Sequence, residues 1–509
     1  MNDFTSPDKS NPFLRKPLDQ VQRESEAHEF KRSLGPVNLV FLGVGCIIGS
    51  GIFVLTGNAA ASFAGPAVVI SFVIAGLACA FTGLCYAELA STMPVAGSAY
   101  TYAYATLGEV CAWTAGWLMV LEYGIATSLV AVGFSGYFTS LLHDFGVVIP
   151  AQLATPYLNS IPTAHGLVFT AGHGVNLVAA AGVLCSTVLL SFGVRLSAVV
   201  NGVMVVMKVA VLIAFVAVGA WWVDPQHWTP LIPPNEGGFA FGWPGVIRAA
   251  SVIFFAYVGF EAVSTAGLES RHPRRDLPIG ILGALSVCTV IYLAVAAVLT
   301  GLVPFRQLGV PDPLAVAANT IGLPWFSLLI KLGATLGLLS VMLTTLYGQT
   351  RVFYAMSRDG LLPRVFSELS KRWRTPRLGT AIVGAVVALA AALLPISILS
   401  DIVSLGVALS FMIVCLSVMW LRSTQPGMHR PFRVPFDGIR LGRAWIGTIP
   451  SLGILLCILM ALPLIVDIGG KALHGNPIPA LLLGGYCTAG AVLYFGYGRR
   501  HSKLRGAPF

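Results

Sequence analysis

The hydrophobic positions of this chain fall into long, nearly uninterrupted runs that short polar segments separate. Each run approaches or exceeds the roughly 20 residues that a helix needs to cross the hydrocarbon core of a bilayer. The pattern therefore predicts an all-α polytopic membrane protein with twelve transmembrane helices. The predicted spans are residues 36–62, 66–91, 110–142, 174–193, 197–222, 243–270, 277–303, 323–350, 378–396, 398–421, 444–468 and 478–498.

The first run contains an interruption. Four glycines and a serine lie between Gly43 and Gly51, and such a composition favours unwinding of a helix. Unwound backbone at membrane depth is tolerated only where it faces protein or a polar cavity, so this segment predicts a binding site. The spacing of Gly45 and Gly49 leaves a second interpretation open, close packing of two helices. A nucleotide-binding loop is disfavoured because Ile48 stands where G-x-G-x-x-G requires glycine.

A second interruption lies in the run that starts near Trp243, where Gly259 is followed closely by the acidic Glu261. Counted from the N-terminus, the two interrupted spans are the first and the sixth. Paired interruptions in corresponding halves are typical of secondary transporters, which bind small charged solutes at half-helix ends. The placement of the two breaks therefore predicts a five-plus-five inverted repeat.

The composition excludes a soluble globular protein. Hydrophobic residues make up 56% of the 509 positions, charged residues only 10%, and the mean hydropathy is +0.81, whereas soluble proteins average about 25% charged residues. The polar N-terminus predicts a flexible tail with a surface helix near 21–32 and no cleaved signal peptide. The predicted units are a tail at 1–35, a transporter domain at 36–498 with repeats at about 36–222 and 243–421 and two extra helices at about 444–498, and a C-terminal tail at 499–509.

Basic residues are distributed unevenly between the two sets of loops. Most of the 31 lysines and arginines lie in the tails and in alternate loops, while the loops between them contribute only Arg306 and Lys471. Because cytoplasmic loops retain basic residues, both termini are expected in the cytoplasm, with the protein in the cell (inner) membrane. The same bias explains the net charge of +10, so no nucleic-acid partner is expected.

The cysteines and histidines of this chain are not spaced as metal or haem ligands. All nine cysteines fall in predicted spans without a C-x-x-C pair, and all nine histidines fall in tails or loops. Neither a disulfide, a metal, a haem nor any other cofactor is therefore expected, which argues against a respiratory oxidoreductase. A membrane-embedded enzyme or a channel is the distant alternative, but no catalytic constellation or acidic selectivity ring supports it.

Five charged residues lie within or near predicted spans, where a charge must be solvated, paired or neutralised. Glu261, after the second break, predicts gating, a structural ion pair or a cap of the resumed helix; Glu122, in the third span, predicts substrate binding or a buried structural pair. Lys208 lies about eleven residues into the fifth span. Burial favours neutral lysine, so Lys208 predicts proton uptake and release, with a permanently charged helix tie as the alternative. Arg248, like Lys331, lies near the outer end of its span and predicts an interfacial or gating role.

Three stretches carry a family resemblance. Residues 45–53 read G-C-I-I-G-S-G-I-F, residues 254–264 read F-F-A-Y-V-G-F-E-A-V-S, and residues 94–100 read P-V-A-G-S-A-Y. In that order, they are similar to the first-span motif, the sixth-span motif and the loop after span two of the amino acid-polyamine-organocation superfamily. The second stretch points to its cationic amino acid transporter family. Two positions depart from the family pattern, since Glu261 replaces the usual aspartate and Glu269-Ser270 replaces a pair of glutamates.

The resemblance implies a leucine-transporter-like fold that holds an amino acid between spans one, three, six, eight and ten and works by alternating access. It places the substrate carboxylate on the amides and hydroxyl of Ser50 and Gly51. It places the amine on the carbonyls of Phe255, Ala256 and Val258. Lys208 matches a lysine that replaces sodium in proton-coupled members. The implied substrate-binding residues are Ile47, Gly49, Ser50, Gly51, Glu122, Phe254, Phe255, Ala256, Tyr257 and Val258.

The predicted function is amino-acid uptake by a permease that uses the proton as its coupling ion. An exchanger of the same superfamily, which swaps an amino acid for its amine, is the alternative left open. The family resemblance does not decide between cationic and neutral substrates, because related bacterial members take neutral amino acids. The expected partners are an amino acid and the lipid bilayer, and the sequence specifies neither an accessory subunit nor an oligomeric state.

Overall fold

The chain folds into a bundle of apolar helices. Nine stretches are long and apolar enough to cross a membrane, and three further helices are apolar but shorter. The protein is therefore a multi-pass membrane protein, as its hydropathy predicted. The predicted surface helix at 21–32 lies outside the described residues. A computed structural model describes residues 13–17, 34–95, 97–163, 166–192, 198–370, 372 and 375–506, and the helix counts refer to these.

The helices of the first half begin after residue 35. Pro36 stands in the first turn of α1, where the missing proline N–H costs no hydrogen bond. Gly65 has φ +60°, and it separates the helical stretch 51–64 from the next helix. The helices are α1 (Pro36–Ile47), short turns at Gly51–Leu55, Thr56–Ala59 and Ala60–Ala64, α2 (Val68–Thr92), α3 (Ser98–Thr106), α4 (Glu109–Asp144), α5 (Leu177–Ser191), α6 (Ala198–Gly219), α7 (Gly242–Ile253) and α8 (Ala262–Thr265).

The second half repeats the use of proline at helix starts, as at Pro273 and Pro324. The helices are α9 (Pro273–Leu302), α10 (Pro313–Thr320), α11 (Pro324–Arg358), α12 (Arg377–Leu393), α13 (Ile396–Thr424), α14 (Thr448–Leu473) and α15 (Ile478–Leu493). Two antiparallel hairpins lie in the loops. They are β1 (Leu158–Thr163) with β2 (Gly166–Ala171), and β3 (Ile439–Leu441) with β4 (Ala444–Ile446).

The structure corrects several predicted boundaries. The predicted eleventh span began at residue 444, but Ala444–Ile446 is a strand and the helix starts at Thr448. The predicted eighth span ended at residue 350, whereas α11 continues to Arg358. A hydropathy run ends where polar residues begin, but a helix continues beyond the apolar region as long as its backbone bonds are made. The two hairpins were not predicted, because their strands lie in loops that carry no long apolar run.

The buried core extends through the bundle, and one tightly packed part of it lies where α1 packs against α9. An added Cβ at Gly43 would lie 2.5 Å from the Ala284 Cβ, and one at Gly280 would lie 2.7 Å from the Leu39 Cβ, so backbone approaches backbone closely there. We call the end of the bundle that carries residues 13–17, α3 and residues 502–505 the terminal face. The end that carries α10 and the β1–β2 hairpin is called the opposite face.

Candidate functional site

The first break is shorter than the glycine pattern predicted. Helix α1 ends at Ile47, Ile48 is extended with ψ 101°, and helical structure resumes at Gly51. Gly43 and Gly45 are not unwound. An added Cβ at Gly45 would lie 2.6 Å from a Val205 methyl, so the helix-packing interpretation is correct for Gly45. Because the first amides of a resumed helix have no partner within that helix, the break presents hydrogen-bond donors near residues 50 and 51.

The second break is built around Val258 and Gly259. A tight turn at Phe254–Tyr257 leads into extended Val258, and Gly259 has φ +123°, a conformation that favours glycine. Helix α8 then resumes at Ala262. Glu261 Oε2 accepts a hydrogen bond from the Gly259 amide at 2.8 Å. This bond closes the turn before α8, and the Glu261 side chain accepts no hydrogen bond from the first amides of α8, so the capping interpretation is wrong. The ion-pair interpretation is also wrong within the described chain, where no basic side chain pairs with Glu261.

The two breaks touch each other. An added Cβ at Gly51 would lie 2.3 Å from the Ala256 Cα, and one at Gly259 would lie within 2.8 Å of the Ile47 amide nitrogen. The Tyr292 hydroxyl, from α9, lies 2.9 Å from the Ile47 carbonyl and 3.0 Å from the Ala256 carbonyl. Glycine at position 51 is thus required by packing between the breaks, whether or not a ligand approaches it.

Two of the predicted amine-binding carbonyls already accept hydrogen bonds. The Phe255 carbonyl accepts from the Val258 amide at 3.0 Å, and the Ala256 carbonyl lies at Tyr292. The aromatic side chains of this segment are also engaged, since the Tyr257 hydroxyl donates to a backbone carbonyl of α2 at 3.0 Å. Phe254 packs its ring against a phenylalanine of α13 at 5.6 Å. For Phe254 and Tyr257, the side chains therefore stabilise the break.

Lys208 joins α6 to the first break. The side chain is completely buried, and its ammonium donates to the Gly45 carbonyl and, at 2.8 Å, to the Ile48 carbonyl. These carbonyls are available because the helix stops between residues 47 and 51. Gly337 of α11 leaves the space beside the lysine, since an added Cβ there would lie 3.4 Å from the Lys208 Cβ. No carboxylate among the described residues pairs with this ammonium. Its mid-span position agrees with the sequence prediction.

Several buried polar side chains near the breaks have no hydrogen-bond partner among the residues that the structure describes. The Ser50 hydroxyl and both Glu122 carboxylate oxygens are buried and make no hydrogen bond with a described residue. Glu122 lies on a π-helical turn, Val120–Ile125, and its electrostatic neighbours are Glu261 and Ser410. Such turns often occur at functional sites. The structure therefore brings Glu122 and the second break together.

Gln349 and Ser410 are polar residues of this region that the sequence analysis missed. The side-chain amide of Gln349 in α11 makes no hydrogen bond with a described residue, and neither does the Ser410 hydroxyl of α13. An added Cβ at Gly124 would lie 3.5 Å from the Gln349 Oε1, so this amide borders the turn that carries Glu122. The available signal was a lone amide within an apolar helix, which by itself identifies no site.

Arg248 does not lie at an interface as predicted. Only 1% of the residue is exposed, and its guanidinium donates to Asp401 at 2.7 Å and to Asp467 at 2.8 Å. Phe63 lies under the guanidinium at 4.7 Å, and Lys471 adds a second cation on Asp467 at 2.8 Å. The span end was identified correctly, but the arginine turns into the bundle and joins α7 to α13 and α14.

Comparison with known proteins identifies the family of this chain. A family model described as amino acid permease matches residues 34–487. The chain is 40% identical over 495 residues to the methylthioribose transporter of Bacillus subtilis, and 41% identical over 498 residues to its branched-chain amino acid permease BcaP, each covering 97% of this chain and 99% of the relative. It is 37% identical over 416 residues to the vacuolar cationic amino acid transporter 4 of Arabidopsis thaliana, covering 81% of this chain and 67% of that protein.

These matches span nearly all of the predicted transporter domain and include both breaks. The relatives are transporters and permeases rather than enzymes. The chain therefore belongs to the amino acid permease family of membrane transporters.

Proposed function

We propose that the protein is a proton-coupled amino-acid transporter of twelve spans with a five-plus-five inverted repeat. Counting the stretch 36–64 as one span and α2 as the next gives twelve, with the breaks in the first and sixth spans. Contact between the breaks across Gly51 and Ala256 supports their pairing. The N-terminal segment and the C-terminal tail both contact Asp359, which supports placing both termini on the same side of the membrane. The distribution of basic residues indicates that this is the cytoplasmic side.

In this proposal the first break binds the substrate carboxylate. Ser50 offers a buried hydroxyl without a described partner, and the resumed helix offers amides with the positive end of its dipole. The substrate amine would use the second break, where each carbonyl oxygen keeps another lone pair beside the hydrogen bond it already accepts. Ile47, Gly49, Phe255 and Val258 form the backbone on either side.

Ser50→Ala tests the carboxylate site. The loss of one hydrogen bond to a charged group is worth roughly 1.5 to 3 kcal/mol, so the KM for uptake should rise about tenfold or more. Ser186→Ala is the matched control, since its buried hydroxyl already donates to the Gly182 carbonyl at 2.9 Å in α5. An unchanged KM in Ser50→Ala would remove the carboxylate site from the proposal. Gly51→Leu is not a clean test, because leucine would collide with Ala256.

The observation that carries proton coupling is the Lys208 ammonium on the Gly45 and Ile48 carbonyls of the break. A buried lysine without a carboxylate partner is neutralised more readily than an exposed one. When protonated, it holds the break in the observed arrangement; deprotonation removes the positive charge and one of the three N–H donors, which weakens its hydrogen bonds to these carbonyls. Loss and gain of one proton would therefore bias the break between two arrangements, as alternating access requires.

Proteoliposomes with an imposed pH gradient test this role. Lys208→Ala and Lys208→Arg should both abolish concentrative uptake, because alanine has no proton to exchange and arginine does not release one. Lys331→Arg is the control, since Lys331 pairs with Asp144 at 2.6 Å near the opposite face and needs only its charge. Accumulation by Lys208→Arg would reduce Lys208 to a structural cation. Wild-type transport that responds to internal amine but not to a pH gradient would favour the exchanger.

Substrate class requires a direct comparison, because the relatives named above differ in the substrates in their names. An amino acid fits the proposed pair of carboxylate and amine sites, whereas methylthioribose has neither group. Thermal shifts with the twenty amino acids and methylthioribose would separate these candidates, since a ligand that binds the native state raises its stability. Should Glu122 select cationic side chains, Glu122→Gln would lower arginine and lysine uptake about tenfold and spare alanine. Equal loss for both would indicate a structural role.

A further inference from the structure

A groove of about 680 Å³ opens on the terminal face, outside the transport site. It lies between the first turns of α9 and the loop that follows α13. Arg274 and Arg275 line one end, and Ile279, Leu282 and Ser286 continue along the helix, with Phe432 of the loop closing the side. The groove therefore combines a cationic end with an apolar floor.

No described acidic residue pairs with the arginines at the cationic end of the groove. Arg274 and Arg275 are exposed, and neither forms an ion pair with a described residue. The nearest acidic residue in sequence, Asp276, is buried, and its carboxylate accepts from the His272 amide at 3.2 Å. The start of α9 adds the positive end of a helix dipole beside the two guanidinium groups. This end of the groove thus favours an anion.

The apolar floor has the length of one bilayer leaflet. Arg275, Ile279, Leu282 and Ser286 follow each other at spacings of four, three and four residues, which places them on one face of α9. Eleven residues of α-helix extend about 16 Å. Half of a hydrocarbon core of roughly 30 Å is about 15 Å, so an acyl chain whose headgroup lies at the arginines would follow this face to the membrane centre.

We infer that the groove binds an anionic phospholipid of the leaflet on the terminal face. The phosphate would lie at Arg274 and Arg275, and one acyl chain would pack along Ile279 and Leu282. Basic pockets on the cytoplasmic side of membrane proteins recognise such headgroups, and this inference rests on the orientation proposed above. The occupant would border the first half-helix, because Gly283 lines the groove and an added Cβ there would lie 2.8 Å from a Val40 methyl of α1.

Native mass spectrometry of delipidated protein, titrated with dioleoyl phosphatidylglycerol or dioleoyl phosphatidylcholine, tests the inference. The wild type should bind phosphatidylglycerol more tightly. The double variant Arg274→Gln with Arg275→Gln should weaken that binding about 30-fold. Each basic residue near an anionic membrane surface contributes a similar free energy of binding, and the loss of two such contributions corresponds to this change in affinity. Arg499→Gln with Arg500→Gln is the matched control, since it removes the same charge from exposed positions of the same face and should leave affinity within about threefold.

A second pair of variants tests the apolar floor. Ser286→Trp should fill the far end of the groove and weaken phosphatidylglycerol binding, whereas Val290→Trp, one turn further on α9 and 69% exposed, lies outside the groove and should not. Equal losses in the two arginine pairs would show a general charge effect and overturn the inference. So would phosphatidylcholine that binds as tightly as phosphatidylglycerol. Glycerol phosphate that binds the wild type as tightly as the lipid would leave only an anion site.

Discussion

The two faces of the bundle are held by ionic clusters of different construction. On the opposite face, Arg248 donates to Asp401 and Asp467, and Lys471 donates to Asp467, so two cations share two carboxylates. All four residues belong to helices α7, α13 and α14. This cluster joins the three helices to one another. Arg248 and Asp467 have two partners each, so each keeps one partner when the other is removed. Asp401 and Lys471, at the two ends of the cluster, have one partner each.

On the terminal face, single carboxylates bind a loop and the C-terminal tail as well as residues of membrane helices. Glu88 at the end of α2 accepts from Arg422 Nε at 2.8 Å and from the Val434 amide at 2.7 Å. Glu109, at the start of α4, accepts from Tyr494, Ser502 and Arg505. Both glutamates are completely buried. Here one side chain secures a loop, and another secures the C-terminal tail.

The difference predicts how each face responds to substitution. In the opposite-face cluster, Arg248 keeps one aspartate when the other is neutralised. On the terminal face, loss of Glu88 leaves the mostly buried Arg422 without its carboxylate, and a buried charge without its partner is costly. Loss of the buried Glu88 should therefore cost more than loss of either aspartate of the opposite-face cluster, although Glu88 secures a loop.

Glu88→Gln should have the largest effect. Breaking a buried pair by removing one partner costs about 3 to 5 kcal/mol, so the unfolding midpoint in detergent should fall strongly, and the loop between α13 and α14 should become sensitive to protease. Arg306→Gln is the control, because Arg306 and Glu236 form an exposed pair with 60% and 49% of their side chains accessible. Such pairs contribute about 0 to 1 kcal/mol. Equal effects of the two variants would contradict the assigned importance of burial.

Asp401→Asn should have the next largest effect, about 1.5 to 3 kcal/mol, the value of one hydrogen bond to a charged group. Arg248 would keep Asp467, which lies at 2.8 Å. The measurement is again the unfolding midpoint, in parallel with Asp401→Asn combined with Asp467→Asn. The double variant should lose more than the sum of the single ones, because only it leaves Arg248 unneutralised. A double loss equal to that sum would argue against sharing.

Asp359→Asn should have a smaller effect, about 1 kcal/mol or less, since this carboxylate is partly exposed. Its oxygens accept from Lys16 at 2.9 Å and from the Tyr100 hydroxyl at 2.7 Å. Hydrogen exchange should therefore increase in residues 13–17 and in α3 without a change elsewhere. Asp437→Asn, at an exposed carboxylate of the same face, is the control. Unchanged exchange at both segments would show that other contacts hold the N-terminal segment.

Asp312→Asn should have the smallest effect, and a dependence on pH. Asp312 precedes α10, and burial raises its pKa above 3.8, while a Ser140 hydrogen bond and Lys331 partly offset this and Asp144 adds to it. The native state thus holds the proton to higher pH than the unfolded state does, so stability falls as pH rises through the window above 3.8. Unfolding midpoints between pH 4 and 7 should show a fall in the wild type that is absent in Asp312→Asn. Parallel profiles would contradict this assignment.

Hydropathy and glycine placement predicted much of the fold from local information. Apolar runs predicted the spanning helices because the bilayer core requires apolar side chains and a backbone whose hydrogen bonds are made within the segment itself. The hairpins at 158–171 and 439–446 were missed because their strands are too short and too mixed in character to separate from loop. The first break was predicted too long, since Gly43 and Gly45 serve close packing and a glycine in sequence does not distinguish packing from unwinding.

The sequence predicted the main-chain breaks of the candidate site but not the side chain that connects them. The two breaks and Lys208 were identified, but Tyr292, which lies at a carbonyl of each break, was not. A tyrosine in an apolar run is ordinary, and only the approach of α9 to both breaks gives its hydroxyl two carbonyls. For Arg248, the sequence located the end of the span but not the direction of the side chain.

The sequence by itself determined the features that depend only on local residues. These are the apolar spans, the helix breaks at two glycine-containing segments and a lysine in the middle of a span. The tertiary structure decided which groups satisfy one another. Lys208 meets carbonyls 160 and 163 residues away, and Glu88 meets an arginine 334 residues away. A buried charge or hydroxyl must find a partner, but the requirement is local while the partner depends on how distant helices pack.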